Sequence, residues 1–148
     1  MPLIIRKAKL SDEKQVLELF SRLTSRHRTD EYKVDQTVSS SIYHQILENP
    51  ILGVILVAEI DLKILGVITL SYPVAIRSGG HYARIEEYIV DEDSRGMGIG
   101  GKLLDEAIKE AKTMNCFDLQ VNNPSDLGKP LYTRRGFHDD GEYWRLKL

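Results

Sequence analysis

The sequence predicts an α/β (α+β) chain: a single domain over residues 1–148, with a mixed, mostly antiparallel twisted sheet of six to seven strands and helices on both faces. Three observations predict it. Two nearly continuous apolar runs, residues 53–60 and 64–72, have the composition of strands buried on both faces. Segments whose apolar residues recur at helical spacing precede and follow them. A glycine cluster, Gly96 to Gly101, separates one further strand from a long amphipathic helix.

Taken in order, residues 3–8 read as a short first strand. Ser11 suits a helix N-cap, and Asp12 and Glu13 suit the positive end of a helix dipole. Val16, Leu17, Leu19, Phe20 and Leu23 then repeat with helical spacing. Residues 22–33 are polar and hold Arg26, His27 and Arg28 together; they read as a solvated connection, with a loop beside a binding site as the alternative. Val38, Ile42 and Ile46 mark a second helix, which Asn49-Pro50 should stop.

The two apolar runs form a hairpin across Asp61-Leu62-Lys63, where Leu62 is a poor turn residue. Pro73 ends the second run. Residues 76–81 turn the chain into a strand over 82–90. Past the glycines, Ile99, Leu103, Leu104, Ala107, Ile108 and Ala111 form one helix face, with Asp105 and Lys109 a favourable pair on the other. Residues 117–121 alternate as a strand. A short helix is expected over about 126–135, capped by Ser125, made awkward by Pro130 and stopped at Gly136. Residues 143–148 read as a last strand.

Four of the six residues from Gly96 to Gly101 are glycine. Glycine weakens helices and strands, so the cluster needs a separate reason. The simplest is an anion approaching the backbone where unpaired N–H groups open a helix. Three phosphate motifs compete here. Gly96 to Gly101 satisfies G-x-G-x-x-G, but Asp91 to Arg95 separate it from the strand that a dinucleotide fold needs directly before it. Gly96 to Lys102 satisfies G-x-x-x-x-G-K, but Leu103 stands where a P-loop places a magnesium-binding hydroxyl. Arg95-Gly96-Met97-Gly98-Ile99-Gly100 fits R/Q-x-x-G-x-G/A best.

That hexapeptide, the strand Ile85-Glu86-Glu87-Tyr88-Ile89-Val90 before it, and Leu131-Tyr132-Thr133-Arg134-Arg135-Gly136-Phe137 after it resemble the GNAT family of acyl-CoA-dependent N-acetyltransferases. The resemblance spans nearly the whole chain, with little of it in the N-terminal third. It implies a GNAT-like acyl-CoA N-acyltransferase fold, with two central strands splayed to admit acetyl-CoA as co-substrate. The function implied is acetyl transfer to a primary amine of a small molecule. A protein or peptide amine is the runner-up acceptor, and a non-catalytic acyl-CoA binding module is the alternative of another class.

The implied cofactor residues are Ile89 and Val90 beside pantetheine, and Arg95, Gly96, Met97, Gly98, Gly100, Gly101 and Lys102 around the pyrophosphate. The family often has an asparagine where Ser125 stands, so Asn122 or Asn123 is a candidate substitute. Glu86 resembles the family's general base, with Glu87 or a structural role for both as alternatives, since strand alternation puts the two on opposite faces. Tyr132 matches the tyrosine that protonates the departing thiolate. Direct transfer needs no covalent enzyme intermediate, which suits a chain without an evident Ser-His-Asp set. The family's first two helices line the acceptor pocket, which makes Tyr32, Tyr43 and His44 possible contacts.

Composition sets the limits. A net charge of −2 with mixed signs argues against a nucleic-acid partner. The lone Cys116 excludes an internal disulfide framework, and the histidines show no metal-ligand spacing, so no metal is expected. No signal peptide or membrane-length apolar run is recognised, so a cytoplasmic protein without a membrane partner is the expectation. A homodimer is common in the family.

Overall fold

Residues 2–22 and 36–148 are described by a computed structural model. The expected fold is present. Strands β1 (Ile4–Lys7), β2 (Gly53–Ile60), β3 (Lys63–Ser71), β6 (Ala83–Val90) and β7 (Leu119–Val121) hydrogen-bond in that order in one sheet. Every pairing is antiparallel except β6 with β7. Strands β4 (Val74–Ala75) and β5 (Gly80–His81) make a small separate ribbon in the turn between β3 and β6.

The helices are α1 (Glu13–Phe20), α2 (Gln36–Glu48), α3 (Ile99–Thr113) and α4 (Lys129–Arg134). Alternation along β2 and β3 sends side chains to two cores. Leu56, Ile68 and Leu70 meet Ile99, Leu103 and Leu104 of α3 and Tyr132 of α4. Ile55, Val57 and Val67 meet Val16 and Leu19 of α1 and Tyr43 of α2. Both faces are covered, so the runs look continuously apolar. Each such Leu or Ile stabilises the fold by about 1.5–3 kcal/mol relative to exposure.

The first helix starts differently from expectation. A 3₁₀ turn over Leu10–Asp12 precedes α1, and Asp12 rather than Ser11 is the anchor. Its carboxylate accepts from the Lys9 N–H at 2.7 Å and from both ends of the Arg6 guanidinium at 2.7 and 2.9 Å. Arg6 also reaches Glu59 of β2 at 2.8 Å. Strand β1, the helix entry and β2 therefore share one ionic joint.

The hairpin turns on Asp61 and Leu62, with φ of 50° and 65°. Two consecutive positive φ values fit a primed turn, whose twist matches the flanking strands. The side chain of Leu62 is 84% exposed, so it gains no packing for its backbone strain. Gln15 of α1 holds the turn by donating to the Leu62 carbonyl at 3.2 Å and accepting from the Ile64 N–H at 2.9 Å. Leu62→Gly is expected to stabilise the protein by about 1 kcal/mol, because glycine relieves the left-handed penalty. Urea unfolding measures it, and an unchanged midpoint would show that the turn carries no strain.

Two further expectations are corrected. Pro130 is not awkward, because α4 begins only at Lys129 and the proline sits in its first turn, where no N–H acceptor is needed. The expected last strand is absent: residues 137–148 form neither helix nor strand, so the main sheet has five strands, not six or seven. Trp144 and Leu146 are exposed, and the Trp144 Nε1–H stays local, donating to Glu142 at 2.6 Å. A period-two pattern makes a strand only where a ladder partner lies beside it.

Candidate active site

The glycine cluster divides by physical cause. Gly96 and Gly98 have φ of 87° and 78°, which favours residues without a Cβ. Gly100 and Gly101 are ordinary helical residues, but their neighbours leave no room. A Cβ on Gly100 would lie 3.1 Å from the Tyr88 hydroxyl, and one on Gly101 would lie 2.8 Å from the Arg135 guanidinium. The last two glycines thus let β6 and α4 approach the first turn of α3.

The backbone here is chemically open. Among the described residues, none of the six N–H groups from Gly96 to Gly101 donates to a protein acceptor; the first to do so is Lys102, to the Gly98 carbonyl at 3.2 Å. Successive open donors at the positive end of a fifteen-residue helix are an arrangement suited to cradling an anion. Arg95, Met97 and Lys102 are exposed in the same segment.

Beside the cradle two strands part. The β6–β7 ladder runs only over Ala83↔Leu119, Arg84↔Gln120 and Ile85↔Val121. Beyond it β6 continues to Val90 without β7, so the edge from Glu86 through Ile89 and Val90 is open to an extended guest. Tyr132 of α4 lies on the α3 side of this gap. Its ring sits 6.1 Å from that of Tyr88 and 5.2 Å from that of Phe137. It is 6% exposed, and burial pushes its phenol up to about 12. Among the described residues its hydroxyl has no hydrogen-bond partner. It is therefore protonated at neutral pH and free to donate.

The two glutamates depart from simple alternation. Thr69 pairs with Glu87 and Leu70 with Ile85, so Glu86 is the extra residue of a β-bulge. A bulge resets the alternation after it. Glu86 and Glu87 consequently reach Ser71 and Thr69, two residues apart on one face of β3. Glu86 is exposed and accepts from the Ser71 hydroxyl at 2.5 Å. Glu87 is half-buried; it accepts from the Thr69 hydroxyl, which itself accepts the Glu87 N–H at 3.0 Å. Burial raises the Glu87 carboxyl, the Thr69 bond pulls it back in part, and the Glu86 charge raises it again. These carboxylates lie on the face covered by α1 and α2, opposite Tyr132, with the parted strands between.

The GNAT acetyltransferase family model matches residues 15–137. This chain belongs to the GNAT acetyltransferase family. It is accordingly an acyltransferase, and the GNAT fold is repeated in solved structures. A Trypanosoma brucei acetyltransferase is 23% identical with a TM-score of 0.80, covering 99% of this chain and 100% of that one. The glucosamine-6-phosphate N-acetyltransferase of Arabidopsis thaliana is 22% identical at 0.82, covering 100% and 99%. A predicted acetyltransferase with acetyl-CoA from Clostridium acetobutylicum is 26% identical at 0.82, covering 99% and 97%. A comparison with curated proteins gave no match.

Within this GNAT scaffold several side chains serve the site indirectly, and sequence reasoning missed them. Tyr88 donates to the Gly100 carbonyl and fastens β6 to the cradle helix. Its hydroxyl crowds any Cβ at position 100. Arg135 binds Asp105 at 2.6 Å and the Gly101 carbonyl at 3.2 Å, joining α4, and so Tyr132, to α3. The expected Asp105–Lys109 pair concealed it, because i,i+4 spacing is visible in sequence and a thirty-residue separation is not.

Other candidates have settled roles. Asn123 lies past the end of β7, exposed and with φ of 52°. The expected Ser125 cap is corrected: Gly128 is the N-cap of α4, and the Ser125 hydroxyl accepts the Gly128 N–H at 3.1 Å in the turn before it. In the acidic loop, Asp91 binds Arg22 at 2.7 Å and Ser94 at 3.2 Å, so it is internally committed. A cleft of about 420 Å³ at the end of β6 is lined by Arg22, Lys63, Ile89, Val90, Arg95 and this loop. Tyr43 is consumed by the Lys9 carbonyl at 2.5 Å, and His44 by Glu13 at 3.2 Å. Tyr32, Arg26, His27 and Arg28 lie outside the described residues. Among the described residues no cluster of three or more His, Cys, Asp or Glu is placed to hold a metal.

Proposed function

We propose that this GNAT protein moves an acetyl group from acetyl-CoA directly to the primary amine of a small molecule. The observation that carries this reading is the run of six unengaged N–H groups, Gly96 to Gly101, beside the open edge of β6. In this reading the cradle, with Arg95 and Lys102, holds the pyrophosphate. Ile89 and Val90 align the pantetheine arm. Acetyl-CoA supplies the activated acyl group as a thioester.

The base is Glu87 rather than Glu86. A carboxylate raised by burial above the ordinary range is well matched to an amine proton at neutral pH. The bulge favours the change, because it brings Glu87 to the same side as Glu86. The amine gives up a proton to Glu87, directly or through water, as its nitrogen attacks. Tyr132, protonated because it is buried, donates to the departing sulfur.

Heat-shift measurements with acetyl-CoA, ATP and NAD test the cradle. Acetyl-CoA at a hundredfold excess over Kd should add about 2.7 kcal/mol to stability, with ATP and NAD giving much less. Turnover against an amine panel, read as free CoA thiol, tests the chemistry. Acetyl-CoA binding with no amine consumed would leave a binding module instead of an enzyme. Tyr132→Phe should lower kcat about 10²- to 10⁴-fold with little change in acetyl-CoA affinity, because only the donated proton is removed. Equal losses in affinity would assign Tyr132 to packing.

A further inference from the structure

The face that carries Glu86 and Glu87 also carries a cation, Arg84, that forms no ion pair among the described residues. Arg84 stands opposite Ser71 in the β3–β6 ladder. Its Nη2 donates to the Tyr82 hydroxyl at 2.9 Å, and its Cζ lies 5.6 Å from the centre of that ring. Arg77, from the turn before β5, brings a second guanidinium to 5.2 Å from the same centre.

Three of the other arginines behave differently. Arg6, Arg22 and Arg135 each hold a carboxylate, at 2.7, 2.7 and 2.6 Å. Among the described residues, neither Arg77 nor Arg84 does. Arg84 is half-buried, and its Nε–H is shut off from solvent with no acceptor. The acids nearby accept from neutral donors and form no ion pair with it: Glu86 takes the Ser71 hydroxyl, and Asp118 takes the amide of Gln120, the register partner of Arg84 on β7. Two like charges gathered on one aromatic ring, one of them partly desolvated, are costly unless an anion joins them. A guanidinium edge is suited to the paired oxygens of a carboxylate or phosphate.

The spacing sets the size of the guest. Arg84 pairs with Ser71 and Glu87 with Thr69, so the two positions are separated by two residues of β3, roughly 7 Å. One compact molecule spans that distance with a hydrogen bond at each end.

We propose that Arg84, assisted by Arg77, binds an anionic group of the acceptor, so that the acceptor is a small primary amine that also bears a carboxylate or a phosphate. This rests on the acetyl-transfer reading above: Glu87 receives the amine and Arg84 receives the anion.

The test compares matched acceptors: phosphoethanolamine with ethanolamine, and an α-amino acid with its amide. The wild type should favour the anionic member of at least one pair by about tenfold or more in kcat/KM. The pair that shows it tells phosphate from carboxylate. Arg84→Gln should bring that ratio close to one, and Arg77→Gln, an exposed position safer for folding, should lower it partway. A wild type that prefers both neutral members overturns the proposal, as does an Arg84→Gln protein that keeps the ratio.

Failure of every amine would count against acetyl transfer, and the anion site is then read separately. Inorganic phosphate and acetate are titrated into ¹⁵N-labelled protein while the Arg84 Nε–H resonance, assigned by its loss in Arg84→Gln, is followed. A saturable shift supports the site, and an unmoved resonance overturns it.

Discussion

Glu87→Gln is expected to lower kcat/KM by about 10²- to 10⁴-fold, the usual contribution of a positioned base, and to raise the melting temperature at the same time. Both effects come from one fact. Burial raises the Glu87 carboxyl above its unfolded value. The stability that a raised carboxyl contributes is fully present below the unfolded pKa and is lost as pH rises through the folded one. At neutral pH the charged carboxylate is therefore a structural cost, and glutamine removes the charge while keeping the shape. The same shift puts the acid limb of the kcat/KM profile above the ordinary carboxylate range. Thr69→Val should move that limb to still higher pH, because the hydroxyl bond lowers the Glu87 value. Pure kinetics with Glu86→Gln as the companion decide the assignment: an inactive Glu86→Gln beside an active Glu87→Gln would return the base to Glu86.

Asp12→Ala should have the largest effect on stability, a loss of about 3 kcal/mol, since it leaves Arg6 half-buried with one partner fewer and strips the cap from the Lys9 N–H. For a chain of this size that is roughly 6–12 °C in Tm. Asp12 is 5% exposed, so water cannot replace what is removed. The hydrogen bond from Arg6, and then that from Lys9, holds its carboxyl below the ordinary value. The stability it contributes is thus present above the unfolded pKa and lost as pH falls through the folded one. Acid titration of the wild type and Asp12→Ala should show the difference between them shrinking over that window. A constant gap would mean the joint is held by packing and not by charge.

What the sequence determined by itself was local. Glycines 96 and 98, the apolar stripe from Ile99 to Ala111, the hairpin between the two apolar runs, and Tyr132 in its L-Y-x-x-x-G-F setting all depend on residues near one another in the chain. Backbone conformation and helix or strand period are short-range properties, so their signals are readable in a window of about ten residues. The family followed from three such windows in the right order.

The tertiary structure decided everything that depends on which segments meet. No residue near Ile85 announces a bulge, because it arises from the register of β6 against β3. That bulge, not alternation, determines where Glu86 and Glu87 point. Gly100 and Gly101 are small because Tyr88 and Arg135 lie against them. Asp12 pairs with Arg6, and Asp105 pairs with Arg135, not with the Lys109 that spacing suggested. Residues 143–148 alternate like a strand yet find no ladder. Charge pairing, burial and strand register are set by through-space neighbours, and chain separation carries almost no information about those.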